Sequence, residues 1–416
     1  MTVRLLRENG IPSHWVFAAV AAALAYFIGT IIYNLYFHPL AKFPGPRLAA
    51  ASPWYEAYYD LVYKGGAQYA SKVRQMHARY GPIVRINPDE ISVNDAKFHD
   101  KLFAAQPAVR DRHPNFSASL GTTKGSFSTP DHYLHRNRRM AYSPFFASAN
   151  VMACEPLIQK KVNHLCDLLW SRREESPNIR TYFAAISFDS FYTWAFGSSL
   201  DLLDDLPLAE KCSNTVETLV TTAPFYRIFP SVMSFARKMP HALLRRFSHH
   251  IARVFDLHTV SKLPPPKMCL TNSMQMIAQA AERYVANECQ SEPVIAGREK
   301  EPSRPYGTSQ PETLFSAIRR SKSPDEEKTA SRISQEGTEM FMASFTPGRT
   351  MMQGLYYLQS HPHVLKTLQE ELDQANPDPA AANLTFRTLP TLPYLVSLSS
   401  RNSWRACESL FFASHN

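Results

Sequence analysis

The chain of 416 residues contains little charge and little glycine: charged residues make up 19% of it, and it has 14 glycines against 31 prolines. Scarce glycine argues against flexible Gly/Ser linkers between modules, and the spread of prolines indicates many helix starts and corners within one body. Hydrophobic residues make up 44% of the chain, which is enough to bury a substantial core. We therefore expect one large folded domain and exclude a disordered chain.

Cysteine is also scarce and shows no pattern. The chain has six cysteines, without a CxxC pair or zinc-finger spacing. Six thiols spread over so long a chain do not make a disulfide framework, so we expect reduced and mostly buried thiols. They are Cys154, Cys166, Cys212, Cys269, Cys289 and Cys407.

The net charge of +9 is compatible with nucleic acid, an anionic membrane surface or an acidic protein partner. No aromatic stacking platform or nucleic-acid recognition motif accompanies the basic residues. We therefore expect no nucleic-acid partner, and the charge alone does not choose between the other two.

Only one uncharged stretch is long enough to cross a bilayer. It runs from Trp15 to Phe37, and at 1.5 Å rise per residue it can span a hydrocarbon core of roughly 30 Å. A cleavable signal peptide is the alternative, but its apolar part would be shorter and would end in small residues. The basic residues on the two sides, Arg4 and Arg7 against Lys42 and Arg47, leave the orientation open. A polytopic transporter is disfavoured because no second such stretch exists.

The residues after this anchor predict a spacer, a helix and a pair of strands. Prolines in residues 38–48 forbid helix continuation and predict a stiff, extended spacer. Tyr55–Tyr80 is predicted as helical, and Ile83–Ile86 and Ile91–Val93 as two short strands around an Asn-Pro-Asp turn. Most of the remaining chain to about Leu372 has the pattern of amphipathic helices, with a short helix at 312–320.

A basic helix face follows Asp131. His135 and Arg139 lie four residues apart on one face, and an imidazole beside a guanidinium suits an anionic group, since guanidinium binds carboxylate through two parallel hydrogen bonds. From the residues alone, a solvated basic surface is the favoured interpretation, since surface charges are usually just that.

A proline interrupts the later helical segment Ser334–Ser360. Pro347 has no N–H and its ring crowds the carbonyl of Ala343, so the helix should be distorted there. Such a distortion can shape a pocket or can simply end the helix, and the residues leave both interpretations open.

Five segments occur in the order of a microsomal cytochrome P450 and resemble its fungal branch most. They are HPLAKFPGP, YGPIVRINPDEISVND, DHYLHRNRRMAYSPFF, EGTEMFMASFTPGRT and SHPHVLKTLQEEL. The resemblance implies a mainly α fold with a small β-sheet and one N-terminal transmembrane helix. It implies these limits: a tail at 1–14, an anchor at 15–37, a proline-rich hinge at 38–48, a P450-like domain at 49–395 and a divergent tail at 396–416.

The resemblance also implies a function. A haem-dependent monooxygenase of secondary metabolism is expected, anchored in the endoplasmic reticulum membrane, oxidising an apolar small molecule with electrons from a cytochrome P450 reductase that uses NADPH. His135 and Arg139 occupy the positions of the haem-propionate ligands. Thr346 occupies that of the proton-relay threonine, and Phe345 replaces the neighbouring acid, which weakens the relay because a phenyl ring carries no proton.

Two of the family's motifs are not recognisable in this chain. Its Glu-x-x-Arg pair would fall at Arg401 and Trp404, and no glycine-rich loop presents an axial cysteine. Cys407 lies too early and lacks such a loop, so no residue is assigned as iron ligand. We therefore expect a C-terminally incomplete P450 fold, with a catalytically inactive membrane-anchored remnant as the alternative function.

Overall fold

The computed structural model describes residues 13–103, 108–117, 122, 124–230, 313–377 and 384–400. These residues are mostly helical and include a two-stranded sheet, which confirms the predicted fold class. They fall into two compact units that divide between Ala108 and Val109. The domain limits drawn from the sequence stay predictions.

The first unit begins with the predicted apolar helix. Helix α1 covers Ser13–Ile32 and continues as one π-helical turn, Tyr33–Phe37. Within it, Phe17–Phe37 has a mean hydropathy of 1.8 and is 6% buried, so this helix is long and apolar enough to cross a membrane. In the described chain it is the only helix with this length and composition.

The proline-rich hinge differs from the extended spacer predicted for it. Its first residues form tight turns, in which the Ala41 N–H donates to the His38 carbonyl at 2.8 Å. Pro39 follows His38 and its fixed φ suits the first central position of such a turn. Further on, the Arg85 N–H donates to the Pro44 carbonyl at 2.8 Å. A Cβ on Gly45 would meet the Arg85 carbonyl oxygen, so the hinge lies directly against the first strand.

The continuous helix predicted over Tyr55–Tyr80 is wrong in its middle. Four short helical pieces come first: α2 (Arg47–Ala51), α3 (Trp54–Ala57), a π turn (Tyr58–Val62) and a 3-10 turn (Tyr63–Gly65). A separate helix, α4 (Tyr69–Tyr80), follows them. Gly65 and Gly66 have φ values of 85° and 97°, which interrupt a right-handed helix and which glycine adopts without strain. A Cβ on Gly66 would also lie 2.6 Å from the Asp60 carbonyl oxygen.

The two predicted strands are present. Strands β1 (Ile83–Arg85) and β2 (Ile91–Val93) pair antiparallel, with Val84 opposite Ser92. The Arg85 side chain is 1% exposed and donates to the carbonyls of Asn34 at 2.8 Å and Pro88 at 2.7 Å. Burial lowers its pKa. Helix α5 (Ala96–Leu102) follows the strands.

The second unit is built from helices. In order they are α6 (Pro114–Ser117), α7 (His132–Tyr142), α8 (Ser148–Ala153), α9 (Glu155–Ser171), α10 (Ile179–Phe196), α11 (Leu206–Ile228), α12 (Leu314–Arg320), α13 (Ala330–Ala343), α14 (Phe345–Ser360), α15 (Pro362–Ala375) and α16 (393–400). Thr313 caps α12 in a reciprocal pair with Ser316. The short helix predicted here is therefore present as far as the described residues show it.

Helix α10 lies at the centre of this unit's core. Most of its side chains are buried, as expected for a helix enclosed by others on all sides. The ring of Phe188 is fully buried and stacks on Phe341 of α13 with centroids 4.8 Å apart. Burying one such ring contributes roughly 1.5–3 kcal/mol, so this stack helps to hold α13 against α10.

Candidate functional site

Helix α7 carries the two residues proposed from the sequence to bind an anionic group. Its N-cap is Asp131, whose Oδ1 accepts from the Leu134 N–H at 2.7 Å. His135 and Arg139 lie one turn apart on this helix, as predicted. His135 is half-buried and its Nδ1 donates to the Ser126 carbonyl at 2.8 Å, whereas Arg139 is exposed.

The Arg139 side chain makes no hydrogen bond or ion pair with any residue that the structure describes. The same holds for His135 Nε2. This leaves a cationic guanidinium and one imidazole nitrogen available on a single face. The guanidinium, and the imidazole when both of its nitrogens carry protons, are donors that fit the carboxylates of a ligand.

Arg138 makes the strongest contacts of this helix, and sequence reasoning assigned it no role. Its Nε and Nη2 donate to the two carboxylate oxygens of Glu327, each at 2.8 Å, and Nη1 donates to Thr129 Oγ1 at 2.7 Å. Arg332 Nε also donates to Glu327, at 3.0 Å. Burial acts to raise the pKa of Glu327, but the bonds from the two arginines outweigh it and the pKa is lowered.

Two buried glutamates of α13 lie beside the segment that precedes α7. Glu336 is 0% exposed and Glu339 is 5% exposed. Ser126 donates to Glu336 through its N–H and its hydroxyl, and Thr122, Phe127 and Ser128 donate to Glu339. Burial raises the pKa of Glu339. The sequence signal was a Glu-x-x-Glu spacing, which occurs just as often on a solvated helix face.

Tyr142, at the end of α7, closes this group of residues. Its hydroxyl lies 2.8 Å from Ser126 Oγ. Burial, reinforced by the charge of Glu336, raises the pKa of Tyr142 to about 12. The phenol therefore stays protonated and serves as a hydrogen-bonding group.

Thr346 lies on the first turn of α14, next to a break in the helical segment. The segment predicted as one long helix is divided at Ser344, which follows from the crowding of the Ala343 carbonyl by Pro347. Ser187 Oγ donates to the Ser344 carbonyl at 2.5 Å and so satisfies the backbone at the break. Thr346 is half-buried, and its hydroxyl makes no hydrogen bond within the described chain.

Phe345, which stands beside Thr346, is 5% exposed and stacks on Phe188 with centroids 6.3 Å apart. It belongs to the core. No hydrogen bond joins Thr346 to His135 or Arg139 in the part of the chain that the structure describes, so the structure shows two separate candidate positions.

A cavity of about 570 Å³ opens between α7 and α12. Its lining includes the apolar residues Met140, Ala141 and Ala317 and the basic residues Arg320 and Lys322. None of the three predicted site residues lines this cavity. It is large enough for a small molecule, but no observation identifies an occupant.

The described cysteines do not form a metal site. Cys154 and Cys212 are buried, and Cys166 is exposed on α9. Among the described residues no three His, Cys, Asp or Glu side chains are grouped to hold a metal ion. Cys407, like Arg401 and Trp404, lies outside the described residues.

Comparison with known proteins identifies the family. The family model for cytochrome P450 matches residues 50–398. The cytochrome P450 monooxygenase MO6277 of Ascocoryne sarcoides is 32% identical over 377 residues, which are 89% of this chain and 68% of that protein. The monooxygenase sdnE of Sordaria araneosa is 32% identical over 89% of this chain and 67% of its own length.

The tryptophan 6-hydroxylase fscE of Fusarium equiseti is 30% identical over 88% of this chain and 66% of its own length. The chain thus spans about two thirds of the length of these curated relatives. The family's cofactor is a haem iron, and the donor set on α7 fits the propionates of such a group. The match over most of the chain, together with these relatives, places the chain in the cytochrome P450 family.

Proposed function

We propose that this protein is a haem monooxygenase that oxidises an apolar small molecule in fungal secondary metabolism. The family match over residues 50–398 is the observation that carries this proposal. Relatives described as cytochrome P450 monooxygenases and as a tryptophan 6-hydroxylase support the reaction type. The particular substrate is left open, since fold and family do not specify it.

The residues proposed to hold the haem are His135 and Arg139. Both lie on one face of α7, and a haem carries two propionates that need charge-assisted donors. Arg139 offers a guanidinium without a protein partner among the described residues. When bound, the haem supplies the activation of dioxygen. The protein's part is to orient it and to neutralise its propionates.

Thr346 is proposed to hold a proton at Oγ1 for the reaction. Its hydroxyl is half-buried beside the helix break and has no protein partner in the described chain, so it is free to donate. Phe345 is buried in the core and carries no proton. We assign no iron ligand among the described cysteines: Cys154 donates to the Val151 carbonyl at the end of α8, Cys212 is buried in the core, and Cys166 is exposed on α9.

The partners follow from the same proposal. The electrons come from NADPH through a cytochrome P450 reductase, and the net charge of +9 favours docking to an acidic protein surface. We further propose a single N-terminal span in the endoplasmic reticulum membrane, which the length and apolar composition of α1 support.

The proposed function is tested by producing the full chain in yeast microsomes, reducing it under carbon monoxide and recording its absorption. A thiolate-type Soret band is expected from a functional haem monooxygenase. Bound haem without that band, or no haem at all, supports the alternative of a catalytically inactive, membrane-anchored remnant. A matched preparation lacking the chain provides the spectral baseline.

A further inference from the structure

The segment before α7 is bonded along one face of α13. Lys124 N–H donates to Gln335 Oε1 at 2.7 Å, and Ser126 and Ser128 donate to Glu336 and Glu339. Residues 335, 336 and 339 lie within about one turn of each other on a helix. Residues 124–128 are therefore fixed to α13 by several hydrogen bonds rather than lying as a surface loop.

Glu336 bonds Ser126, and Ser126 bonds His135. Its carboxylate accepts from the Ser126 N–H at 2.9 Å and from Ser126 Oγ at 2.7 Å. It is also ion-paired with Arg332 Nη1 at 2.6 Å. Both Ser126 donors are committed to one buried carboxylate, and the Ser126 carbonyl also accepts from the Thr129 N–H at 3.2 Å, so this carbonyl has a fixed direction.

The Ser126 carbonyl determines which nitrogen of the His135 ring carries a proton. A carbonyl oxygen can only accept, so Nδ1 of His135 carries the proton in the 2.8 Å bond to Ser126. A hydrogen bond to one ring nitrogen sets the tautomer and the orientation of the imidazole. In His135 it leaves Nε2 facing a ligand, as an acceptor in the neutral ring and as a second N–H donor in the doubly protonated ring.

Glu339 fixes the same segment one turn further along. It accepts from Thr122 Oγ1 at 2.5 Å, from Phe127 N–H at 2.8 Å and from the Ser128 hydroxyl. A Cβ on Gly125 would collide with the Glu339 carboxylate, so the backbone lies directly on this side chain. Two buried carboxylates, Glu336 and Glu339, therefore hold this segment, and it cannot shift while their hydrogen bonds are formed.

We propose that Glu336 is a positioning residue that acts through Ser126 on His135: it fixes the proton on Nδ1 and aims Nε2 at the haem propionate, to which Nε2–H donates in the doubly protonated ring. The identity of the ligand, a haem propionate, rests on the proposed function. The tautomer of His135 in the unliganded protein does not depend on that function. Outer partners that orient a ligand residue typically contribute about 10- to 100-fold in affinity for the bound group.

The first test is the state of the His135 ring. The full chain, labelled with ¹⁵N-histidine and placed in lipid vesicles, is studied by solid-state NMR, and His135 is assigned from the spectrum of His135→Gln. Wild-type protein should show the Nδ1–H form. Glu336→Gln places an amide donor opposite the two donors of Ser126. It should therefore release Ser126 and give a mixture of His135 tautomers. An unchanged ring in Glu336→Gln overturns the proposal.

The second test is hemin affinity, with Glu327→Gln as the matched control. Glu327 also ties α7 to the rest of the unit, through Arg138, but does not bond Ser126. Glu336→Gln should weaken hemin binding by about 10-fold, while Glu327→Gln should stay within about 2-fold even if its thermal midpoint falls further. Equal losses of affinity in the two variants would reduce Glu336 to a purely structural role.

Ser126→Ala keeps the carbonyl and removes only the hydroxyl, so it serves if Glu336→Gln does not fold. It should give a smaller shift in both readouts, and wild-type behaviour in both contradicts the proposal. If His135→Gln and Arg139→Gln bind hemin like the wild type, the proposed haem site fails, whereas the tautomer result still decides the role of Glu336.

Discussion

Replacing Gly348 by alanine should destabilise the second unit by forcing α10 and α14 apart. An added Cβ would lie 2.7 Å from the Phe183 carbonyl oxygen and 3.2 Å from Ala184 Cα. Both neighbours are backbone atoms of a buried helix, so neither can move as the end of a flexible side chain would. Gly348 is itself buried, and the two helices can approach this closely only without a side chain here.

The expected magnitude is the difference of two effects. Alanine is favoured over glycine inside a helix by roughly 0.5–1 kcal/mol, while overpacking a tight interface costs about 1–3 kcal/mol. The contact of 2.7 Å is short enough to require a shift of the helix backbone, so the overpacking cost should exceed the helix gain. We expect a net loss of about 1–2 kcal/mol, which corresponds to a fall of roughly 2–8 °C in Tm for a domain of this size class.

The assay is thermal unfolding of the detergent-solubilised full chain, followed by far-UV circular dichroism. Gly29→Ala is the matched control, since Gly29 lies inside α1 and a Cβ there meets nothing within 4 Å. Gly348→Ala should melt at a lower temperature than the wild type, and Gly29→Ala should not. A Tm for Gly348→Ala at or above that of the wild type would refute the close approach of α10 and α14.

Two further predictions concern buried charges. Lys161→Met should lower the free energy of unfolding by about 3 kcal/mol in a denaturant titration, because it leaves the carboxylate of Asp189, which is 1% exposed, without its cation. Lys160→Met, at an exposed neighbouring position, should change the free energy of unfolding little. Equal effects of the two substitutions would contradict the buried ion pair. Burial raises the pKa of Glu339 above its ordinary value of 4.5, so its stabilising contribution is present below that value and is lost as the pH rises through the folded pKa. Glu339→Gln should remove this decline from a plot of unfolding midpoint against pH. Glu327→Gln should instead remove a loss on acidification, since the pKa of Glu327 is lowered; the same pH profile in both variants would contradict the two opposite shifts.

The strand pair and the helix break could be predicted because both depend on residues that are close together in the sequence. The strand pair followed from β-branched residues on either side of an Asn-Pro-Asp turn, and the structure shows it at Ile83–Arg85 and Ile91–Val93. The break near Pro347 followed from its missing N–H. The continuous helix through Tyr63 and Gly66 was wrong because two glycines with positive φ outweighed the helical pattern around them.

The parts of the site that join distant segments had no signal in the sequence. Arg138 and Glu327 form a bidentate pair although they are 189 positions apart. Ser126 and Glu336 are 210 positions apart. Glutamates and arginines are usually solvated, so only their burial shows that these residues hold α7 and the segment before it in place. His135 and Arg139 could be chosen because both lie within one helix turn and match the positions at which the family binds a haem propionate.

The measurement that tests the account most directly is a hemin titration of the full chain compared with Arg139→Gln and Arg136→Gln. Both arginines lie on the exposed part of α7, but only Arg139 is one turn from His135 on the proposed propionate face. The account predicts that Arg139→Gln weakens hemin binding by about 10- to 100-fold, the value of one to two charge-assisted hydrogen bonds. Arg136→Gln should bind as the wild type does. Equal affinities in all three proteins, or a loss confined to Arg136→Gln, would contradict the placement of the haem on this face.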